Sequence, residues 1–351
     1  MTSVAFGLVA LAAASGFARP APSWTLVDTG VDARLRGLAA VSHQVAWASG
    51  SAGTVLRTVD GGGTWRQVGP PGTADLQFRD IEAFDGRHAV ALSIGEGDQS
   101  RVYVTDDGGQ DWTETFRNDD PGAFYDCMAF LDRRHGLALS DPVAGRFRIL
   151  STSDGGRSWR VLPAAGMPPA LDGEFAFAAS GTCLVTTGRR GGFHEDAWFG
   201  TGGGSSSRVF HTADAGRTWT VVSTPIPSGP TAGIYSLAFR DSGHGIAVGG
   251  DFAAPTQAPD AAASTRNGGA RWTLATAAPG EYRSGVAWRA DGGGRHAGTA
   301  IAVGPTGSDL TRDGGRTWTR FDTGSFDAVS CAADGACWAS GEHGRVAFLG
   351  P

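Results

Sequence analysis

The chain has 351 residues, of which 55 are glycine and only 18% are charged, with a formal net charge of −6. Glycine in this amount, without helical apolar periodicity beyond the N-terminal stretch, excludes a helical bundle and a charged disordered tail and fits short strands joined by tight turns. An acidic balance with no Lys/Arg cluster excludes a nucleic-acid backbone as partner.

The chain opens with an apolar run from Val4 to about Ala14 followed by small residues. This reads as a secretory signal over residues 1–18, cleaved near Ala14 or Ala18, and it is too short for a transmembrane span. No Lys or Arg precedes the run, so an extended start is the alternative; no Cys follows it, so a lipid anchor is not indicated. Cleavage would leave one domain, residues 23–351, in the periplasm or outside the cell.

From residue 58 an octapeptide recurs: TVDGGGTW ending at Trp65, TDDGGQDW at Trp112, TSDGGRSW at Trp159, TADAGRTW at Trp219, TRNGGARW at Trp272 and TRDGGRTW at Trp318. Six of the eleven tryptophans fall at this one position, so the repeat organises the chain. A β-branched or apolar strand enters each copy and another leaves it, which makes the copy a hairpin turn. Asp60, Asp107, Asp154, Asp214, Asn267 and Asp313 accept backbone N–H groups, the glycines take positive φ, and the tryptophans pack as apolar plates. Asp111 in the second copy, and Asn267 with Arg271 in the fifth, depart from the pattern and predict less well-formed turns. These octapeptides resemble the Asp box, the BNR repeat of sialidases and other β-propellers.

Each repeat also opens with a short strand: LRGLAAV near Arg36, FRDIEAF near Asp80, FYDCMAF near Asp126, GEFAFAA near Glu174, IYSLAF near Tyr235, YRSGVAW near Arg283 and FDAVSCA near Asp327. Four strands per repeat and seven openings predict an all-β, seven-bladed propeller of four-stranded antiparallel blades. The last repeat ends before its octapeptide, while SWTLVDTG (Ser23 to Gly30) matches TWTRFDTG (Thr317 to Gly324) after the sixth copy. Trp24 to Val27 is therefore expected to complete the seventh blade and close the ring, giving a monomer with no bare blade face.

Innermost strands line a propeller's axis, so Arg36, Arg79 with Asp80, Tyr125 with Asp126, Glu174, Tyr235, Arg283 and Asp327 are expected to converge there. Such a ring suits a polar or acidic partner or a sugar; a hydrated channel of mutually satisfied charges is the alternative. Two insertions are further candidates: Gly188 to Arg208, with His194, Glu195, Asp196 and Trp198, and Gly249 to Ser264. Cys331 and Cys337 face each other across a short hairpin loop and either form a disulfide or remain buried thiols. Cys127 and Cys183 match no zinc spacing.

GTGGGSSS lacks a phosphate-loop ending, HED lacks a second spaced histidine, and no hydrolase elbow, HExxH or dinucleotide fingerprint occurs, so neither metal nor cofactor is expected. FRIL at Phe147 to Leu150 lacks the proline of the sialidase element. A glycosidase would need two facing carboxylates, for which Asp80, Asp126, Asp141, Glu174 and Asp327 are candidates by position.

The runs FYDCMAF, RHGLALSDPVAGRF, SGTCLV, AWFGTGG, GIYSLAFRDSGHGIAVGGDF and DGGRTW resemble the bacterial, non-photosynthetic relatives of the photosystem II stability/assembly factor family. That resemblance spans nearly all of residues 23–351 and implies an exported seven-bladed propeller that binds a protein client through an arginine-rich patch, placed here at Arg36, Arg79 and Arg283. A binding scaffold without catalysis is thus the expected function, and a sialidase-like or xyloglucanase-like hydrolase or glycan-binding module the alternative.

Overall fold

The computed structural model describes residues 22–187, 195–290 and 298–350. Their strands form seven four-stranded antiparallel sheets, the blades of one propeller. The inner strands, from blade 1 to blade 7, are Leu35–Ala40, Gln77–Ala83, Tyr125–Phe130, Leu184–Thr186, Ala232–Phe239, Gly285–Trp288 and Ala328–Cys331. Second strands such as Ala46–Gly50, Ala89–Ile94, Ala300–Gly304 and Cys337–Ser340 are buried at every residue. Blades cover both of their faces, which is why they read as unbroken apolar or small runs rather than alternating ones. Outer strands are short and exposed, as at Arg66–Gln67 and Arg160–Val161.

The ring closes as expected. Thr25–Val27 adds to the outer edge of blade 7, with Thr25 opposite Phe348 and Val27 opposite Val346. Trp24 anchors this strand: its indole N–H donates to Ser308 Oγ at 3.0 Å, and its ring lies 5.9 Å from Phe321 and 5.7 Å from Phe326. The two chain ends thus share one sheet, which gives blade 7 its full four strands at the seam.

All six octapeptide turns share one hydrogen-bond pattern. The threonine hydroxyl donates to the Asp or Asn Oδ1 and accepts the N–H of the glycine four residues on, as with Thr152, Asp154 and Gly156 at 2.8 and 3.0 Å. That glycine has φ near +84°, which a side chain would strain. In four turns a second hydroxyl, from Thr64, Ser158, Thr218 or Thr317, donates to the other carboxylate oxygen at 2.6 to 2.7 Å. Asp111 and Arg271 have no hydroxyl to give, and these two residues contribute only their backbone N–H, each to Oδ1 at 3.0 Å. Each departure therefore removes one bond and leaves the turn standing. The tryptophans pack edge-on against neighbouring rings, Trp65 on Trp338, Trp112 on Trp47, Trp219 on Phe199 and Trp272 on Phe239.

Two disulfides are present. Cys331–Cys337 bridges opposed residues of the blade 7 hairpin, resolving the alternative of free thiols. Cys127–Cys183 joins the inner strand of blade 3 to the segment entering blade 4, a pairing that sequence spacing did not indicate because the two residues meet only when blades pack side by side. It lies in the apolar core between those blades.

Candidate binding mouth

The top face is the end of the ring where inner strands begin; the octapeptide turns lie at the opposite, bottom face. Four inner strands open with a β-bulge, placed between Leu35 and Gly37, Phe78 and Asp80, Tyr125 and Cys127, and Ile234 and Ser236. The unpaired residues are Arg36, Arg79, Asp126 and Tyr235. A bulge adds one residue to one strand and re-aims its side chain, so these four are turned out of the regular inside-outside alternation at one level of the ring. Asp327 stands just before the inner strand of blade 7 and Arg34 just before that of blade 1.

Three guanidiniums gather at this level. Arg34 donates to Asp327 through Nε and Nη2 at 2.8 and 2.7 Å and pairs with Glu342 at 2.9 Å. Arg36 Nε lies 4.0 Å from Asp327 and, although buried, has no hydrogen-bond partner among the described residues. Arg79 Nη1 donates to the Ala178 carbonyl at 3.0 Å. Burial, with Arg36 and Arg34 adding to it, lowers the Arg79 pKa to about 10, and burial likewise lowers that of Arg36. Both remain cations at neutral pH. Asp126 offsets them little: burial, then Asp141, pushes its carboxyl well above the usual range. The mouth therefore holds more positive charge than its own carboxylates neutralise, inside a protein that is acidic overall.

Beside the arginines stands an aromatic cluster. Phe177 stacks on Tyr235 at 3.9 Å, Tyr282 meets Tyr235 edge-on at 4.7 Å, and Phe175 packs on Phe177 at 4.8 Å. The Tyr235 hydroxyl donates to the Thr231 carbonyl at 2.7 Å, so Tyr235 is a support rather than a free contact. Phe252, from the Gly249–Ser264 insertion, adds an exposed ring against Tyr235.

Other residues expected on the axis lie elsewhere. Tyr125 is fully buried against Phe116, because the bulge falls on Asp126 and leaves Tyr125 paired in the core. Glu174 is enclosed by Arg208, whose Nε donates at 2.8 Å, and by the Thr201 hydroxyl at 2.6 Å. Arg283 is fully buried and donates to Asp309 at 2.7 Å and Thr306 at 2.9 Å, so the arginine patch excludes it and takes Arg34 in its place. Arg34 was missed, although its spacing of two from Arg36 was a readable signal. Asp80 accepts the Met128 N–H at 2.6 Å and lines an axial cavity of about 460 Å³ reached from the bottom face, with Glu82, Ser180, Thr182 and Ser330.

Of the Gly188–Arg208 insertion, His194 lies outside the described residues. Asp196 pairs with His211 at 2.8 Å, and the Glu195 carbonyl accepts the Ala215 N–H. Trp198 is a packing residue: fully buried, it stacks between His211 and Phe239 and donates to the Gly268 carbonyl at 2.8 Å. Of the carboxylates considered for glycoside hydrolysis, Glu174 is enclosed by Arg208 and Asp327 is held by Arg34. Among the described residues no group of three or more His, Cys, Asp or Glu could hold a metal, and no helix is long and apolar enough to cross a membrane.

Solved propellers share this architecture. A structure described as YCF48 bound to D1 peptide aligns with a TM-score of 0.62 and 16% identity over 95% of this chain and 100% of the other. YCF48 from Cyanidioschyzon merolae aligns at 0.63 and 15% over 93% and 99%. The WD40 propeller domain of Doa1 aligns at 0.61 and 12% over 93% and 97%. At such identities the likeness is one of fold. No family model and no curated protein sequence matches the chain.

Proposed function

We propose that this protein is an exported propeller of the Asp-box type, a non-photosynthetic bacterial relative of the assembly factors, that binds an acidic segment of a protein partner at its top face and assists that partner's assembly or stability. The observation that carries this is Arg36, a partly buried guanidinium whose Nε has no hydrogen-bond partner among the described residues, flanked by Arg34 and Arg79. A carboxylate is the complement that such a group accepts most strongly. The YCF48 structure, described as holding a D1 peptide, supports a polypeptide as ligand class. Export is supported by the apolar Val4–Ala14 run and by two disulfides, which persist in oxidising compartments.

A rhodamine-labelled hexaglutamate peptide, followed by fluorescence anisotropy, tests the site. Reversing Arg36 and Arg79 to Glu is expected to weaken binding about tenfold or more, a loss of ~1.4 kcal/mol or above, in a variant that still unfolds cooperatively. Equal binding by the folded variant would sink the proposal.

A further inference from the structure

Near the arginines lies a pair of acids, Asp126 buried and Asp141 half-buried, that the binding reading leaves unexplained. Asp126 and Asp141 are both bulge residues on hydrogen-bonded neighbouring strands of blade 3, flanking the Tyr125–Ser140 pair. Asp126 is 1% exposed, and its Oδ2 has no hydrogen-bond partner among the described residues. Asp141 Oδ1 accepts the Ala176 N–H at 2.9 Å. Arg79, at the matching bulge of blade 2, reaches across to the Ala178 carbonyl, two residues from Ala176, and is the cation felt by Asp126. The segment Ala176–Ala178 offers this group only backbone atoms.

A carboxyl group with one unpartnered buried oxygen, within electrostatic reach of a guanidinium that donates to a backbone carbonyl, can act on it in two protonation states. Protonated, Asp126 makes no claim on Arg79, which stays available to an external anion. Ionised, it becomes an internal counterion for the same guanidinium. We infer that occupation of the arginine mouth is coupled to the proton held by the Asp126–Asp141 pair, so that the anionic partner binds with proton uptake and is released as the pair ionises. This rests on the top face being the binding site.

The direction follows from the charges around the pair. Burial raises both carboxyls, and Asp141 is brought to about 7, so a proton leaves the pair within the ordinary range of pH. Opposing influences come from Arg79 on blade 2, while Arg34, Arg36 and Asp327 surround Arg79. A bound anion reduces the hold of Arg79 on ionised Asp126 and adds its own negative charge. Both effects favour the protonated pair, so affinity is higher below the pair's pKa and falls above it.

The labelled hexaglutamate peptide, whose carboxylates stay ionised from pH 6 to 8, is titrated into the full protein at constant salt. The wild type is expected to bind about three- to tenfold more tightly at pH 6 than at pH 8, since one unit of pKa displacement is a tenfold change in an equilibrium constant. The Asp126→Asn/Asp141→Asn double variant is expected to bind at pH 8 as the wild type does at pH 6. His343 is exposed and 2.7 Å from Asp32; a His343→Gln variant should retain the wild-type ratio. A wild-type ratio near one, with binding still lost on reversal of Arg36 and Arg79, overturns the coupling and leaves the site standing. A ratio that collapses in His343→Gln overturns it too, by assigning the proton elsewhere. No binding at any pH removes the site and the coupling together. Should the double variant not fold, calorimetry of the wild type at pH 7 in buffers of different ionisation enthalpy decides: proton uptake on binding supports the coupling, and its absence overturns it.

Discussion

The two faces of this ring treat repetition in opposite ways. At the bottom, six turns repeat both the position and the side chain: threonine, Asp or Asn, glycine and tryptophan recur with the same hydrogen bonds. At the top, the position repeats and the side chain does not: the bulge carries Arg36, Arg79, Asp126 and Tyr235 in turn. A group repeated in six of the seven blades serves a need they share, a tight hairpin and a plate to pack on. A level of the ring where chemistry differs from blade to blade builds one asymmetric surface, and that is where a specific partner is read.

If that division holds, damage at the seam or the bottom face should cost stability and spare affinity. The largest effect is expected from deleting residues 24–29. This removes the outer strand of blade 7, the Trp24 contacts and the bond from Thr29 to Gly344. Thermal unfolding should show a loss beyond the ~3–5 kcal/mol typical of one buried Trp; an unchanged midpoint would disprove the closure. Next comes Cys127→Ser with Cys183→Ser, which frees a loop of 56 residues and should cost about 4 kcal/mol by the chain-entropy relation. Trp219→Ala, at 6% exposure, should cost ~3–5 kcal/mol, and the half-buried Trp159 distinctly less. In each folded variant the hexaglutamate affinity at pH 6 should remain that of the wild type.

Repetition also decided what could be read before the fold was seen. Blade number, the hairpins and the closing strand all follow from motifs that recur or match at a distance, so a single sequence carries them. The mouth was legible only in part. Arg36, Arg79, Asp126, Tyr235 and Asp327 stand at one level, but a bulge shifts side-chain parity by one residue, and nothing in FYDCMAF says that the bulge falls on Asp126 rather than Tyr125. Glu174 and Arg283 look like axial residues until their partners, Arg208 and Asp309, arrive from other strands of their own blades. The Cys127–Cys183 bond failed to show for a similar reason, since its geometry is set between blades.

The finest test of the division lies inside the bottom face, where two turns lack the bond that four possess. In the turn around Asp107, the backbone N–H of Asp111 reaches Oδ1 at 3.0 Å and Oδ2 at 3.2 Å, but position 111 has no hydroxyl to donate to Oδ2. Asp111 also brings a second carboxylate to the same exposed turn. Asp111→Thr supplies the hydroxyl that Thr64, Thr218 and Thr317 supply elsewhere, with the backbone already placed to receive it. The gain should be about 0.5–1.5 kcal/mol, the net value of one intramolecular hydrogen bond. Chemical denaturation should show the midpoint rising with its slope unchanged. Because the turn belongs to scaffolding repeated around the ring, hexaglutamate affinity at the top face should not move. A change in affinity would show that the two faces are not independent; a fall in stability would show that Asp111 serves this blade in a way its five counterparts do not.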